Sequence, residues 1–280
     1  MQVGIGLPAT IPSTSGGLVL EWARRADGGP FDCLGILDRV VYDNYESMTT
    51  LAAVAAVTQR ITLASVIVIA PLRATALLGK QAATVQAISG GRLVLGVGLG
   101  AREDDYAAVG AEYRNRGRRL TNQLFELREQ WEEEKIGPLL SSSRPRLLVG
   151  GAGGLAQSRM ARYADGYVHG GGTPRAFARA TTEARAAWTD MGRPADPELW
   201  GMAYFQLGGD SELGSRYLKE YYAFTGPFAD RIAAGLLTTA GDIAEFLRGY
   251  DEAGCDHLVL FPTVADIQQL DRLALLLTGG

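Results

Sequence analysis

Eight short runs of apolar, largely β-branched residues alternate with longer segments of helical spacing, unbroken from one end of this 280-residue chain to the other. The strand-like runs are Val3–Leu7, Cys33–Leu37, Ile61–Ile69, Leu93–Val97, Arg146–Val149, Gly166–His169, Trp200–Leu207 and His257–Phe261. Helical patterns fill the intervals at Leu18–Ala26, Glu46–Thr58, Leu77–Ile88, around Leu120, Leu124, Leu127 and Trp131, and at Leu155–Tyr163 and Pro174–Met191. They continue within Glu212–Leu237, around Ile243 to Tyr250, and at Ile267–Leu277. Strands separated by helices run parallel, and their sheet must be covered on its outside. Eight such units predict an α/β chain closed into a (β/α)8 TIM barrel. A barrel typically takes about 250 residues, so residues 1–280 are expected to form a single domain. An open doubly wound sheet is the alternative, and the strand count argues against it. Thr239 with Asp242 predicts a capping box ahead of the Ile243 helix.

Composition narrows the function classes. Apolar residues make up 47% and charged residues 21%, which supplies a core. The net charge of −4 comes without any block of like charge, so nucleic acid and anionic membrane are not expected partners. Two histidines are too few for a His-built zinc site, and no metal is expected. Cys33 and Cys255 lie far apart with no CxxC and read as buried free thiols of a reducing, cytoplasmic compartment. The N-terminus lacks a basic region and a cleavage pattern, so no signal peptide is expected. The longest apolar run, Ile61–Leu72, is interrupted by Thr62, Ser65 and Pro71 and is too short to span a bilayer.

In such a barrel the active site lies at the C-terminal ends of the strands. Three glycine-rich turns fall there: Gly96-Val97-Gly98-Leu99-Gly100, Gly150-Gly151-Ala152-Gly153-Gly154 and Gly170-Gly171-Gly172. Glycine lets backbone approach a ligand, and the second turn runs into a helix whose N-terminal N–H groups suit a phosphate. Each turn by itself reads more readily as a tight connection with no ligand; their coincidence favours a nucleotide-like cofactor. Asp38-Arg39 closes the second strand and is either an ion pair at the site or a solvated rim pair. His169 is either a proton donor or a rim histidine, and His257, opening the last strand at the opposite end, reads as structural. Arg73 either meets an anion or snorkels at a helix start. Asp104 and Asp105 either touch cofactor or cap a helix. Tyr42, Tyr45, Tyr204 and Phe205 either line a cavity or belong to the core.

The run Ser89-Gly90-Gly91-Arg92-Leu93-Val94-Leu95-Gly96-Val97-Gly98-Leu99-Gly100 closely resembles the SGGR-x-x-LGxGxG signature of the luciferase-like monooxygenases. Further stretches match that family in order: Val3 to Pro8, Leu51 to Ile61, Ala164-Asp165-Gly166-Tyr167, and Ala253-Gly254-Cys255-Asp256-His257-Leu258-Val259-Leu260. The resemblance implies a barrel, usually dimeric, that binds FMN or the deazaflavin coenzyme F420 at its top. It implies a non-prolyl cis peptide near Val66–Ile67 behind the ring. It also places Asp38 near the ring, Asp104 as a polar cofactor contact, and Ala152 and Gly153 at the turn that meets the cofactor tail; Gly98, Gly100 and Gly151 of the glycine-rich turns complete the expected cofactor-binding set. The spacing from Gly100 through Asp105, Tyr106 and Gly110 to Arg116 resembles the deazaflavin-using branch. Leu99 stands where luciferases carry an arginine for the FMN phosphate.

Two departures matter. Arg39 stands where many relatives have histidine, and Ala101 where some deazaflavin dehydrogenases have a catalytic glutamate. The usual acid–base pair is therefore missing. Segment Glu132–Pro145 also reads as short, which suggests a more open pocket. The expected function is a flavoprotein oxidoreductase passing hydride between coenzyme F420 and a small organic molecule, with Arg39 polarising substrate and His169 donating a proton. The alternatives are a reduced-FMN monooxygenase using oxygen, a flavin-binding barrel without catalysis, and a lyase or isomerase acting on a phosphorylated ligand.

Overall fold

The computed structural model describes residues 1–133, 135–138 and 144–279. Part of the Glu132–Pro145 segment, Ser141-Ser142-Ser143 included, lies outside the described residues. The strands are β1 (Gln2–Gly6), β2 (Cys33–Ile36), β3 (Thr62–Ile69), β4 (Leu93–Gly98), β5 (Arg146–Gly150), β6 (Gly166–Val168), β7 (Glu198–Phe205) and β8 (His257–Pro262). The helices are α1 (Gly16–Gly28), α2 (Ser47–Val57), α3 (Thr75–Ile88), α4 (Glu103–Ala108), α5 (Arg116–Glu132), α6 (Gly154–Tyr163), α7 (Pro174–Asp190), α8 (Ser211–Tyr221), α9 (Phe228–Ala234), α10 (Ala240–Glu252) and α11 (Gln268–Leu277). Every neighbouring strand pair is parallel, and β8 pairs with β1 to close the barrel. The expected closure is thus observed, and the open-sheet alternative is not. The short α4 and the 3-10 turn Ala70–Leu72 carry no periodicity long enough to read from sequence.

Strand alternation sorts the side chains into two layers. Outward-facing Leu34, Ile36, Leu95, Val97, Leu258 and Leu260 pack under the helices, while Cys33, Val94, Leu148, Trp200, Val259 and Phe261 fill the barrel. On the β1–β2–β8 side the interior is closed by close approach: a Cβ on Gly6 would stand 2.0 Å from the Phe261 ring, and one on Gly35 2.6 Å from Val259. The Thr239–Asp242 capping box is present at the start of α10. Cys33 and Cys255 are both buried and free. His257 lies at the N-terminal end of β8, stacked on Trp200 with ring centroids 4.2 Å apart.

One irregularity shapes the upper interior. Ser65 pairs with Leu95 and Val68 with Val97, so two residues of β3, Val66 and Ile67, face Gly96 alone on β4. This bulge interrupts the in–out alternation, so Val66 and Ile67 both border the barrel mouth. The Val66–Ile67 peptide is cis. Ile67 then crosses the glycines of the two next strands: a Cβ on Gly98 would lie 2.7 Å from Ile67 Cδ1, and one on Gly150 2.8 Å from Ile67 Cγ2. Gly96 admits no side chain for a firmer reason, because its Cβ would lie 2.3 Å from the Ser65 carbonyl oxygen.

A Gly96→Ala variant therefore has to push two strands apart. It is expected to lose about 1–3 kcal/mol, a fall in thermal midpoint of about 2–4 °C per kcal/mol. Gly28→Ala, which meets nothing within 4 Å, should shift stability by no more than about 0.5 kcal/mol; equal midpoints for the two variants would refute the packing argument. Burial also holds the imidazoles of His169 and His257 below their ordinary pKa. As pH falls, the unfolded chain then takes up protons first, so stability is complete above about pH 6.5 and declines from there toward the lower native values. Urea midpoints should fall between about pH 7.5 and pH 5, and the His169→Gln/His257→Gln double variant should flatten that fall.

Candidate functional site

A cavity of about 640 Å³ opens at the C-terminal ends of the strands. That size accommodates an organic cofactor with a substrate. Val66 and Ile67 of β3, Gly98 of β4, Gly150 of β5, Val168 of β6 and Met202 of β7 border it. Of the residues singled out in the sequence, Asp38, Val66, Ile67, Gly98, Gly100, Gly151 and Ala152 also border it; Arg39, Asp104, Gly153 and His169 do not.

Each of those four has a physical reason for its place. Val168 points inward, so strand alternation turns His169 away from the cavity. Its ring lies edge-on to Phe177 of α7 at 5.8 Å, with Nδ1 buried and unpartnered among the described residues. Arg39 does not pair with Asp38. It donates to the Val41 carbonyl at 2.9 Å and to Asp104 at 3.3 Å, and its guanidinium lies 4.6 Å from the Tyr42 ring and 5.6 Å from that of Tyr221. Arg39 thus stands behind Tyr221, which itself borders the cavity. Asp104 is half exposed and accepts the Asp105 N–H, meeting one of the free donors of the first turn of α4. Asp105 is buried and accepts the N–H groups of Val40 and Val41, pinning the loop after β2. Gly153, with φ of 83°, is the turn residue that launches α6.

The partner of Asp38 is Arg73. The fully buried carboxylate accepts both terminal nitrogens of Arg73 at 2.7 and 2.9 Å, the Ser47 hydroxyl at 2.8 Å and the Ile69 N–H at 2.8 Å. Arg73 also reaches Glu46, which accepts the Thr49 N–H at the start of α2. Burial alone would depress the Arg73 guanidinium; Asp38 and Glu46 outweigh it and raise its pKa. A buried pair this fully hydrogen-bonded fixes geometry more than it adds stability. It ties the end of β2, the end of β3 just past the bulge, and the start of α2 into one unit. Snorkelling therefore does not describe Arg73.

One end of the cavity is cationic. Arg114, Arg116, Gly117, Arg159, Gly151 and Ala152 border it, beside the N-terminus of α6. No side chain caps that helix, and side chains added at Gly153 or Gly154 would meet nothing within 4 Å. Arg159 is anchored by Thr121 and the Gly117 carbonyl, and burial lowers its pKa. Arg116 lies 3.6 Å over the Tyr113 ring, with a buried, unpartnered Nε. None of these arginines has a salt bridge among the described residues, and the one carboxylate on the wall, Asp38, is engaged by Arg73. Open helix N–H groups with unpaired guanidinium forks make an anion site.

The other end is aromatic. Tyr221 and Tyr222, at the end of α8, border it with Met202 and Leu37. The Tyr222 hydroxyl is 2.7 Å from that of Tyr204, which rises from β7 inside the barrel. Burial raises the pKa of Tyr204, Tyr221 and Tyr222, so these phenols stay protonated and able to donate at neutral pH. Tyr45 instead donates to the Thr14 carbonyl, and Phe205 belongs to the outer core. Sequence reasoning missed Arg102, Arg159, Tyr221 and Tyr222. The arginines from Arg114 to Arg119 pointed to the cationic end but include none of these four, and single residues in or beside amphipathic helices carry no signal of their own.

The model of the luciferase-like monooxygenase family matches residues 1–254. Among curated proteins, the uncharacterized protein Rv0940c of Mycobacterium tuberculosis is 31% identical over 168 residues, covering 55% of this chain and 58% of that protein. The match thus spans less than two thirds of that relative's length. Among solved structures, an F420-dependent secondary alcohol dehydrogenase in complex with an F420-acetone adduct superposes with a TM-score of 0.79 at 16% identity, covering 95% of this chain and 94% of that one. The oxygenating constituent of 3,6-diketocamphane monooxygenase from Pseudomonas putida, in complex with FMN, gives 0.74 at 17% identity, covering 98% and 97%. At such identities these two likenesses speak for the fold alone. The family match extends over most of the barrel and includes the glycine-rich β4 that the cavity is built around, and on that ground the chain belongs to the luciferase-like monooxygenase family.

Proposed function

We propose that this chain is an oxidoreductase that holds coenzyme F420 across the barrel mouth and transfers hydride between it and a small organic substrate. The observation that carries the reading is the pairing of a flat apolar floor, Val66 and Ile67 against Gly98, with the unpaired cationic cradle of Arg114, Arg116, Arg159 and the α6 N-terminus. A deazaflavin has matching parts: a planar ring and a polyanionic tail. When bound, the group supplies hydride chemistry; the chain supplies position, charge and exclusion of water. The floor would support the ring, and Asp38 with Arg73 would hold that floor in place. Gly151 and Ala152 would give backbone N–H groups to the tail. Gly153 would serve by shaping their turn, and Gly100 by letting the β4 loop pass Ile69, since a Cβ there would lie 2.7 Å from Ile69 Cγ2. Arg39 and Asp104 would act through Tyr221 and the α4 turn rather than by contact. His169 as proton donor has no support from its outward position, and the Tyr204–Tyr222 pair is the better-placed source of a proton. Action as a homodimer, which the family resemblance implies, in the cytoplasm and as a single-domain unit belongs to the same proposal.

Reduced FMN is the second reading, favoured by the cavity's size and by the fold likeness to an FMN complex. Leu99, apolar where an FMN-phosphate arginine is expected, argues for F420. A flavin-binding barrel without turnover remains the reading motivated by Arg39 and Ala101.

Titration of purified protein with F420 and with FMN, followed by fluorescence quenching, tests this. F420 should bind in the micromolar range or tighter and ahead of FMN. Losing one charged donor costs about 1.5–3 kcal/mol, so Arg116→Gln and Arg159→Gln should each weaken F420 about tenfold or more. Arg39→Ala and His169→Ala, which lie off the cavity wall, should leave that affinity within about twofold. Absence of binding by either ring would overturn the assignment.

A further inference from the structure

Arg102 follows Ala101 directly and is the N-cap residue of α4. It borders the cavity at the aromatic end, yet only 9% of it is exposed. Its guanidinium carbon lies 4.2 Å from the Phe224 ring centroid, 4.6 Å from that of Tyr221 and 5.7 Å from that of Tyr222. One terminal nitrogen donates to the Tyr221 carbonyl at 3.0 Å, at the C-terminal end of α8. Nε is buried without a partner, and Arg102 has no salt bridge among the described residues. Holding the end of α8 explains one of its five N–H donors. The ring faces stabilise the cation in part. They supply no counter-charge and accept no in-plane N–H, so the remaining donors are left for an anion to complete.

The neighbouring hydroxyls have one proton to spare. In the Tyr204–Tyr222 pair one proton bridges the two oxygens, and either oxygen can supply it. Tyr222 is the member on the wall, so with Tyr204 as the bridging donor the Tyr222 proton is left to meet an acceptor in the cavity. Tyr221 and Tyr222 add flat apolar faces to the same corner. A planar guanidinium held between rings presents its N–H fork in a fixed plane, which suits a carboxylate better than a point charge would.

We propose that Arg102 and Tyr222 form a substrate-recognition site for an ionised oxygen, a carboxylate or phenolate, carried on a planar aryl group. The proposal rests on the reading that the arginines at the opposite end take the cofactor tail. The substrate would then enter with its charge at the α8 side and its reacting carbon over the Val66–Ile67 floor. In this role Arg102 is a specificity residue, which recognises substrate without exchanging a proton with it.

Isothermal titration with 2-naphthoate and with neutral, near-isosteric 2-naphthamide tests this, on the protein both alone and with F420 or FMN added. Wild-type protein should bind naphthoate at least about tenfold more tightly than naphthamide. Arg102→Gln should abolish that ratio while cofactor affinity stays within about twofold. Tyr222→Phe should reduce naphthoate binding about threefold or more. Arg159→Gln should leave the ratio intact. Equal affinity for the two probes, a ratio that survives Arg102→Gln, or one lost in Arg159→Gln instead would overturn the proposal. If Arg102→Gln does not fold, Arg102→Lys decides: a fall in the ratio of about tenfold supports the fork, and no change overturns it. Failure of the cofactor reading would show separately, as absent F420 and FMN binding with the naphthoate ratio unaltered.

Discussion

Ile67 lies across the barrel mouth because β3 carries one residue more than β4 can pair, and the rest of the site is arranged around that crossing. Gly98 and Gly150 have no side chains where Ile67 needs the volume, and Gly100 makes the same concession to Ile69. The Asp38–Arg73 pair holds the far end of the bulge through the Ile69 N–H, and Glu46 couples that knot to α2. Remove the bulge and the floor loses its shape; remove the knot and the bulge has nothing to end against.

The glycines of β4 therefore serve packing first. They look like a ligand cradle in the sequence, but the space beside them is taken by isoleucine. Within the three glycine-rich turns, the glycines whose side-chain positions are open are Gly153 and Gly154, on the cationic side, and Gly170. The first two turns thus do different physical work: one admits a neighbouring strand's side chain, the other leaves backbone N–H groups uncovered.

Charge shows the same contrast between whole and part. The chain is net −4, yet the described wall of its cavity holds four arginines and a single, already paired carboxylate. Net charge governs solubility and long-range encounter; a ligand in a cleft responds to the few groups around it that are shielded from water. The arginines divide into two groups by their surroundings. Arg114, Arg116 and Arg159 face a helix N-terminus, and Arg102 is set among phenol rings.

The barrel was legible because its signal is repeated and local: eight apolar runs matched their strands to within two residues, since each is buried on both faces and needs no partner's identity to be recognised. Part of the cavity wall was legible for the same reason, as Asp38, Val66, Gly98 and Ala152 stand at or near strand ends. What the sequence could not settle was direction and pairing. One step of strand alternation turns His169 away from the cavity, Arg39 reaches Asp104 rather than its neighbour Asp38, and the anionic partner of Arg73 lies 35 positions away. Sequence alone determined that the chain would close a parallel barrel with small residues at one rim, because burial patterns are written residue by residue. The tertiary structure decided which arginines remain without acids and which tyrosines meet, because those depend on distances between elements that no local pattern encodes.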